Sequence, residues 1–531
     1  RGVGVLGGGQ MAGARSDQNT FLIDGVDATD VTAGTGSYYS DAIDWVGPTP
    51  AIPVPAESVE EFRVSSTNPN ATFGRSSGGQ VSFVTKRGTN AFHGSLYWYH
   101  QNDNLNANRW EFNRLGVRKP ELKDHRFGFT TGGPIRRDKT FFFTHYEGRR
   151  FPKSESILRL VPTATLKQGI LRFPDAEGNI VSYPVKDFDP RGIGMSPVIR
   201  EFWSRFPEGN DPSAGDGLNT IGFRAPADAS LNMDFALLRL DHHFSSNWRF
   251  DGTYRYSSHS VRDTTQIDIA GFVRGNPRGP AGTVASIPVE PRLVTARLTG
   301  QIRPTLINEF IFGYQRNWYA LKRVRAFPQV PGTTGALMIA LDILDQGVDV
   351  DTQRARSRYW RDHLFQFTDN VSWVNGAHSF QFGGTWRLLN TVHERDDKVI
   401  GSLTSLVYEL NARTAVGIPA SSRPPTCGGS VTRNCLRSGD VGRWNDLLAG
   451  ALGIVDKAGV MVTRAINLNQ FPIGTPLLAT VTTHALEFYA NDTWRVRPSL
   501  TLSFGVTYSL QIPPVEKDGL QTMMIDVATG K

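Results

Sequence analysis

The chain has 531 residues, of which 39% are hydrophobic and 20% charged, and it contains 54 glycines and 31 prolines. This composition argues against a disordered chain and favours a folded protein rich in turns and β structure. The net charge of +7 comes from 57 basic and 50 acidic side chains scattered along the sequence. Without a dense Lys/Arg block, this charge does not point to nucleic acid as a partner.

The sequence contains no candidate transmembrane helix. Its longest nearly apolar run, "LLAGALGIV", extends from Leu447 to Val455, whereas a helix needs about 20 apolar residues to cross a bilayer. The first residues also lack an initiator methionine, a basic n-region and an apolar h-region. We therefore expect the sequence to be a segment of a longer one.

Residues 1–90 predict a small mixed segment. "NTFLIDGVDATD" contains an apolar strand closed by an Asp-Gly turn, and "VEEFRVSS" is a second short strand. "SSGGQVSFVTKRGTN" contains a third strand before a basic, glycine-containing exit.

From about residue 91 onward, the sequence predicts strands with one apolar and one polar face. In "HSFQFGGTWRLL", Phe380, Phe382 and Trp386 fall on one side, and Gln381, Thr385 and Arg387 on the other. "LVTARLTGQI" from Leu293 and "SLTLSFGVTYSL" from Ser499 alternate in the same way. Eight weaker cases, which bring the total to eleven strands, begin at Phe92, His125, Thr140, Asp234, Trp248, Leu306, His363 and His484.

The connections between these strands alternate strictly between short and long. Turns rich in Gly, Pro, Asn and Ser are predicted at 132–139, 245–247, 303–305, 375–377 and 497–499. Long loops are predicted at about 102–124, 151–232, 260–290, 319–362 and 391–483, far above the usual loop length of about 4 to 6 residues.

Strands of about 10 residues with this asymmetry are typical of an outer-membrane β-barrel, which has short periplasmic turns, long extracellular loops and a polar lumen. Phe380, Phe382 and Trp386 would then face lipid, and Trp98, Trp373 and Trp494 would contribute to interfacial girdles. Alternation alone leaves open a soluble β-sandwich or propeller. The loop asymmetry and the strand length favour the barrel.

No catalytic residues, cofactor site or metal site are predicted. His242 and His243 are adjacent on a strand and point to opposite faces, and no HExxH or GxSxG motif occurs. The two cysteines, in "CGGSVTRNC", lack the further ligands of a zinc site. We expect Cys427 and Cys435 to form a local disulfide in an oxidising compartment.

Several segments closely resemble the TonB-dependent outer-membrane receptors, specifically their Oar-like branch. They include "RSDQNTFLIDGVD", "VPAESVEEFRV", "NATFGRSSGGQVSFVTKRGTNAFHGSLYWYHQNDNLNAN", "HRFGFTTGGPIRRDKTFFFTHYEGRR" and "YANDTWRVRPSLTLSFGVTY". The resemblance implies a plug domain inside a barrel of about 22 strands. It further implies that inner-membrane TonB, with ExbB and ExbD, drives transport using the proton-motive force.

The resemblance also assigns the two parts of the chain and the plug positions. Residues 1–90 would be the C-terminal part of the plug, and residues 91–531 the N-terminal half of the barrel. For each glycine of the plug, an architectural role is favoured over ligand contact. The plug positions are Asp24, Gly25, Val26, Asp27, Glu60, Glu61, Phe73, Gly74, Arg75, Gly78, Gly79, Val84, Thr85 and Lys86.

The sequence departs from a complete member of this family at both ends. It lacks a signal peptide, the N-terminal regulatory-like domain, a TonB box and the start of the plug, and it stops near strand eleven. Eleven strands would leave two unpaired edges in lipid, where each unsatisfied backbone group costs several kcal/mol. We therefore do not expect this segment alone to be a working barrel.

Three functions remain open at this stage. The first is energy-dependent uptake of a large or scarce substrate, such as an oligosaccharide, a siderophore or a peptide. The second is a structural or adhesion role in which the long loops bind matrix or carbohydrate, and the third is a soluble carbohydrate-binding protein. The expected partners are TonB with ExbB and ExbD, outer-membrane lipid and lipopolysaccharide, and an unidentified extracellular substrate.

Overall fold

The computed structural model describes most of the strands together with parts of the long loops. The described residues are 19–30, 50–66, 71, 74, 78–108, 110, 113, 122–262, 264, 266–273, 275–323, 337–341, 358–395, 406–410, 418–454, 457–459, 464–472 and 475–519.

Strands dominate these residues. In chain order they are β1 (Thr20–Ile23), β2 (Val26–Asp27), β3 (Val59–Ser65), β4 (Gln80–Thr85), β5 (His93–Asn102), β6 (Lys123–Arg136), β7 (Thr140–Phe151), β8 (Ser154–Pro162), β9 (Ile170–Pro174), β10 (Ile180–Pro184), β11 (Asp211–Gly215), β12 (Thr220–Asp228), β13 (Leu231–His243), β14 (Trp248–Arg262), β15 (Ile267–Ala270), β16 (Arg278–Thr283), β17 (Ala285–Val289), β18 (Arg292–Arg303), β19 (Leu306–Arg323), β20 (Leu337–Leu341), β21 (Arg358–Asn375), β22 (His378–Arg395), β23 (Leu406–Leu410), β24 (Lys457–Gly459), β25 (Leu477–Arg497), β26 (Leu500–Gln511) and β27 (Val515–Glu516). The α-helices are α1 (Ala164–Lys167), α2 (Pro197–Ser204) and α3 (Val441–Leu452). None of the helices in the described part of the chain is long and apolar enough to cross a membrane.

The eleven predicted strands all form, and they pair antiparallel in one large sheet. Its order is β5-β6-β7-β13-β14-β18-β19-β21-β22-β25-β26. The short strands β17 and β27 pair with this sheet at its long-loop end. The short connections lie at 137–139, 244–247, 304–305, 376–377 and 498–499, so the predicted alternation of turns and long loops is confirmed.

Several strands are longer than the predicted length of about 10 residues. β19, β21 and β22 each have 18 residues, and β25 has 21. Their pairing continues on the long-loop side past the apolar stretch, into segments with polar side chains such as Arg316, Asn317 and Arg361. Because the two-faced pattern weakens there, the sequence predicts these strands to be shorter at their long-loop ends than they are.

The two faces of the sheet have the opposite polarity to those of a soluble β protein. In β14, Thr253, Arg255 and Ser257 are buried, whereas Tyr254 on the other face is exposed. In β22, Phe382 and Trp386 are 41% and 40% exposed. The polar face is therefore the inner, covered one and the apolar face the outer one, as the sequence predicts for a barrel wall.

The N-terminal segment forms a four-stranded sheet of order β2-β1-β4-β3, which lies against the inner face of the large sheet. We call these strands, β1 to β4, the N-terminal sheet, and the large sheet the wall. β1 pairs in parallel with β4, and β3 pairs antiparallel with β4. A small apolar cluster joins the two sheets, with Ile23 and Val26 on one side and Leu293 and Ile311 on the other.

Three long loops fold together into one unit, which the sequence did not indicate. β8, β11 and β12 from the loop after β7 form a sheet with β15 and β16 from the loop after β14. Helix α3 from the loop after β22 packs into the same hydrophobic core, where Trp203 and Trp444 are fully buried. We call residues 152–230, 266–273, 275–284 and 418–454 the cap.

The predicted disulfide is present in the cap. Cys427 and Cys435 are bonded, and no free cysteine occurs among the described residues. The Tyr183 hydroxyl donates to the backbone oxygen of Cys435 at 3.4 Å. The bridged loop is thereby attached to the segment that contains β10.

Replacing Trp444 with alanine is expected to release α3 from the cap. Its indole packs against the rings of Phe173, Tyr183 and Phe188 at centroid distances of 4.9–5.6 Å. Removing a fully buried Trp should cost about 3–5 kcal/mol. Hydrogen exchange of residues 441–452 would measure the effect, and Ile193→Ala, at an exposed cap position, should leave that exchange unchanged.

Candidate functional site

The candidate site is the contact between the N-terminal sheet and the wall, and it begins at the turn between β1 and β2. Asp24 and Gly25 have φ values of 50° and 85°, a conformation that the Asp-Gly sequence favours in a two-residue hairpin. The Asp24 carboxylate accepts hydrogen bonds from the backbone N–H of Thr85, at 2.8 Å, and from the Thr85 hydroxyl. The turn is therefore fixed to the end of β4 and presents a buried acid to the wall.

Two buried arginines of the wall meet this acid. Asp24 lies 3.9 Å from a guanidinium nitrogen of Arg239 and 3.7 Å from one of Arg255. Arg239 also binds Asp241 at 2.8 Å and donates to the backbone oxygen of Thr85 at 2.8 Å. Arg255 donates to the Thr85 hydroxyl. Because these guanidinium groups are buried, the acid of the N-terminal sheet offsets part of the cost of burying them.

A second polar contact lies at β2. The backbone N–H of Asp27 donates to Oε1 of Gln366 at 3.1 Å. The Asp27 carboxylate lies 3.9 Å from Nε of Arg387, whose two terminal nitrogens donate to Glu487 at 3.0 and 2.8 Å. This bidentate pair connects β22 to β25. The third guanidinium nitrogen of Arg387, Nε, faces Asp27 of the N-terminal sheet.

The remaining contact is close apolar packing of Val26 on Gly313 of β19. A Cβ atom added at Gly313 would lie only 2.4 Å from a methyl carbon of Val26. A larger residue at position 313 would therefore push the N-terminal sheet away from the wall. The glycine is needed because of this close approach.

A cavity of about 240 Å³ lies beside these contacts, between the N-terminal sheet and the wall. Most of its polar side chains are hydroxyls, amides and carboxylates, with Arg387 as the one basic side chain among the described lining residues. They are Thr20, Asp27, Gln80, Glu309, Gln366, Thr368, Asn370, Thr385, Arg387, Glu487, Tyr489 and Thr507. Among the described residues, no cluster of three or more His, Cys, Asp or Glu side chains could hold a metal ion.

The predicted plug positions do not all lie at this contact. Asp24, Gly25, Val26, Asp27 and Thr85 do, and Gly74 lies close to Glu487 in the wall. Elsewhere, exposed Glu60 and Lys86 make only weak ion pairs, with Arg87 and Glu57, each at 3.8 Å. Glu61 on β3 and Val84 on β4 are both exposed. The Gly79 N–H donates a hydrogen bond to Oδ1 of Asn19 at 3.0 Å, and Gly78 is the residue before it. Phe73 and Arg75 lie outside the described residues.

Sequence reasoning missed the partners in the wall, Arg239, Arg255 and Glu487. It placed Arg387 on the lumen side, which the structure confirms, but did not predict what Arg387 contacts. The available signal was a set of charged residues on the inner parity of the strands, such as Arg239 and Asp241 in β13, and it does not specify a partner.

Replacing Gly25 with alanine is expected to loosen the turn against the wall. An L-residue in the left-handed region costs about 1–2 kcal/mol, and the added Cβ would lie 3.0 Å from Ile311. Proteolysis of residues 19–30 should accelerate severalfold. Gly178→Ala is the control, because Gly178 has a similar φ of 90° but no atom within 4 Å of the added Cβ.

Comparison with known proteins identifies the family of the chain. The family model "Outer membrane beta barrel domain" matches residues 84–531. The TonB-dependent transporter Oar of Myxococcus xanthus is 29% identical over 180 residues, covering 33% of this chain and 14% of that protein. The outer membrane transporter YddB of Escherichia coli has a TM-score of 0.50 at 13% identity over 94% of this chain and 50% of its own.

The siderophore receptor PirA of Acinetobacter baumannii has a TM-score of 0.46 at 12% identity, with the same coverage. This chain thus spans half the length of these solved structures. The similarity to Oar agrees with the resemblance found in the sequence, and the family match excludes the soluble sandwich or propeller. The chain belongs to the outer membrane β-barrel domain family, and the protein is located in the bacterial outer membrane.

Proposed function

We propose that the protein is a TonB-dependent transporter that takes up a large or scarce substrate, such as an oligosaccharide, a siderophore or a peptide. Residues 1–90 are the C-terminal part of the plug and residues 91–531 the N-terminal half of the barrel. The long loops are extracellular and the short turns periplasmic. TonB, with ExbB and ExbD, supplies the force, and the substrate passes through chemically unchanged.

The observation that carries this proposal is the polar character of the contact between the N-terminal sheet and the wall. Asp24 and Asp27 meet Arg239, Arg255 and Arg387, whereas the shared apolar cluster is small. Water can solvate these charges when the sheets separate, so the contact can open without exposing a large hydrophobic surface. A plug that must move under force and return needs such a contact.

The similarity to Oar, a transporter described as TonB-dependent, supports the same function. The cavity beside the contact offers hydroxyls, amides and carboxylates to a polar substrate, although these groups suit several chemical classes. Outer-membrane lipid and lipopolysaccharide surround the barrel.

Uptake measured in cells tests the proposal. Cells that express the protein should accumulate one of a panel of labelled oligosaccharides, siderophores and peptides, and lose this uptake when a protonophore is added or TonB is deleted. Uptake that survives both treatments would exclude TonB-driven transport.

A structural or adhesion role is the second candidate, and the folded cap favours it. The cap joins parts of three loops around its own hydrophobic core, which gives a stable surface for binding matrix or carbohydrate. This role predicts that whole cells bind matrix polysaccharide equally well with and without the proton-motive force.

A further inference from the structure

Three basic side chains stand side by side on the outer, apolar face of the wall. Arg292 of β18 lies directly opposite Arg316 of β19, and Arg316 lies directly opposite His363 of β21. Side chains opposite each other on neighbouring strands have Cβ atoms about 4.5–5.5 Å apart, and like charges in that arrangement repel. The two arginines thus repel each other unless an anion lies against them, whereas Nδ1 of His363 contacts the Tyr314 hydroxyl at 2.9 Å.

Within the described residues, no carboxylate neutralises this row. Arg292 lies over the ring of Tyr256 at 5.6 Å, and its buried Nε has no hydrogen-bond partner in the described part of the chain. By contrast, Arg361, which lies on the same face, is paired with Glu394 at 3.1 Å. The wall therefore has acids available on this face, but none is paired with Arg292 or Arg316.

The row lies at the edge of the apolar band. The next cross-strand row on the same face, further from the long loops, consists of Val294, Tyr314 and Phe365. A molecule bound here would meet guanidinium and imidazole groups at one end and hydrocarbon-compatible side chains at the other. Such a surface fits an amphiphile with an anionic head better than a free anion.

We propose that Arg292, Arg316 and His363 bind the phosphate group of a glycolipid in the outer leaflet, with its acyl chains along Val294, Tyr314 and Phe365. The two guanidinium groups donate charge-assisted hydrogen bonds to the phosphate oxygens. The assignment to the outer leaflet rests on the orientation proposed above, with the long loops outside.

The test uses the purified protein in a nonionic detergent and three probes: bisphosphorylated lipid A, the same lipid after removal of its phosphates, and inorganic phosphate. Native mass spectrometry measures the bound fraction. Wild-type protein should bind the bisphosphorylated lipid, and Arg292→Gln/Arg316→Gln should bind it roughly tenfold or more weakly. Arg303→Gln/Arg497→Gln, which removes two exposed arginines at the short-turn ends, is the control with the same change in net charge.

A thermal measurement separates binding from a purely structural role. Without lipid, Arg316→Gln should melt no lower than wild type, because it removes a like-charge pair. With bisphosphorylated lipid, only the wild-type melting temperature should rise. Equal lipid binding by wild type and the double variant, or equal binding of the dephosphorylated lipid or of inorganic phosphate, would overturn the proposal. Because neither assay measures uptake, a failure of the transport proposal would be seen separately.

Discussion

Replacing Asp24 with asparagine is expected to free the N-terminal sheet from the wall while the wall itself stays folded. The Asp24 side chain is 2% exposed and that of Arg255 is fully buried. Asparagine keeps the shape and an acceptor for the Thr85 N–H, but it removes the charge that faces Arg239 and Arg255. Removing one partner of a buried ion pair costs about 3–5 kcal/mol, and we expect the lower end of that range here because Arg239 keeps its pair with Asp241 at 2.8 Å.

Hydrogen exchange of residues 19–30 and 80–85 would measure the loss of stability of the N-terminal sheet. Exchange in the wall strands β13 and β14 would show whether the wall stays folded. Glu177→Gln is the matched control, since the Glu177–Arg433 pair in the cap has a short distance of 2.7 Å but is exposed to solvent. Exposed pairs contribute at most about 1 kcal/mol. Unchanged exchange in the Asp24 variant would show that the buried pairs do not hold the sheet in place.

The wall could be predicted from the sequence because its pattern is local. A strand between lipid and an inner polar face alternates at every residue, as in Phe380 to Arg387, and turn residues mark where it reverses. The pattern weakens toward the long-loop ends of the strands, where polar side chains such as Arg316 and Asn317 lie on both faces. The ends of β19, β21, β22 and β25 were misplaced for that reason.

The cap could not be predicted because its core joins residues far apart in sequence. Trp203 and Trp444 belong to different loops, and neither shows a periodicity that indicates the other. The run from Leu447 to Val455 is too short for a membrane helix, and its residues Leu447 to Leu452 belong to the buried part of α3. A short apolar run inside a long loop is better interpreted as evidence for a folded insertion.

The site was predicted on one side only. The Asp-Gly turn and the resemblance identified Asp24 and Asp27, because a two-residue hairpin restricts its own sequence. Their partners Arg239, Arg255 and Arg387 are ordinary lumen-facing positions as far as the sequence shows. Which of the inner charged residues contacts the N-terminal sheet depends on how that sheet docks against the wall. No local sequence pattern indicates the docking position.

A disulfide between positions 26 and 313 is expected to abolish uptake in the oxidised state and to restore it on reduction. A Cβ atom at Gly313 would lie 3.2 Å from the Cβ of Val26. The two Cβ atoms of a disulfide are about 3.5–4.5 Å apart, so the two positions are close to the required separation. Val26→Cys/Gly313→Cys would therefore bond the N-terminal sheet to β19 with little backbone movement. If transport requires the two sheets to separate, a covalent bond at their closest approach should stop it.

The control is a disulfide between two neighbouring wall strands, which need not move relative to each other during transport. Thr253 and Thr295 lie opposite each other on neighbouring wall strands, with their hydroxyl oxygens 2.6 Å apart, so Thr253→Cys/Thr295→Cys should bond within the wall and leave uptake intact. Wild-type cells treated with the same reductant account for any effect of opening the Cys427–Cys435 bond. Full uptake by the oxidised 26–313 variant would mean that the substrate passes without separation at this contact, and the path would then have to follow another side of the N-terminal sheet.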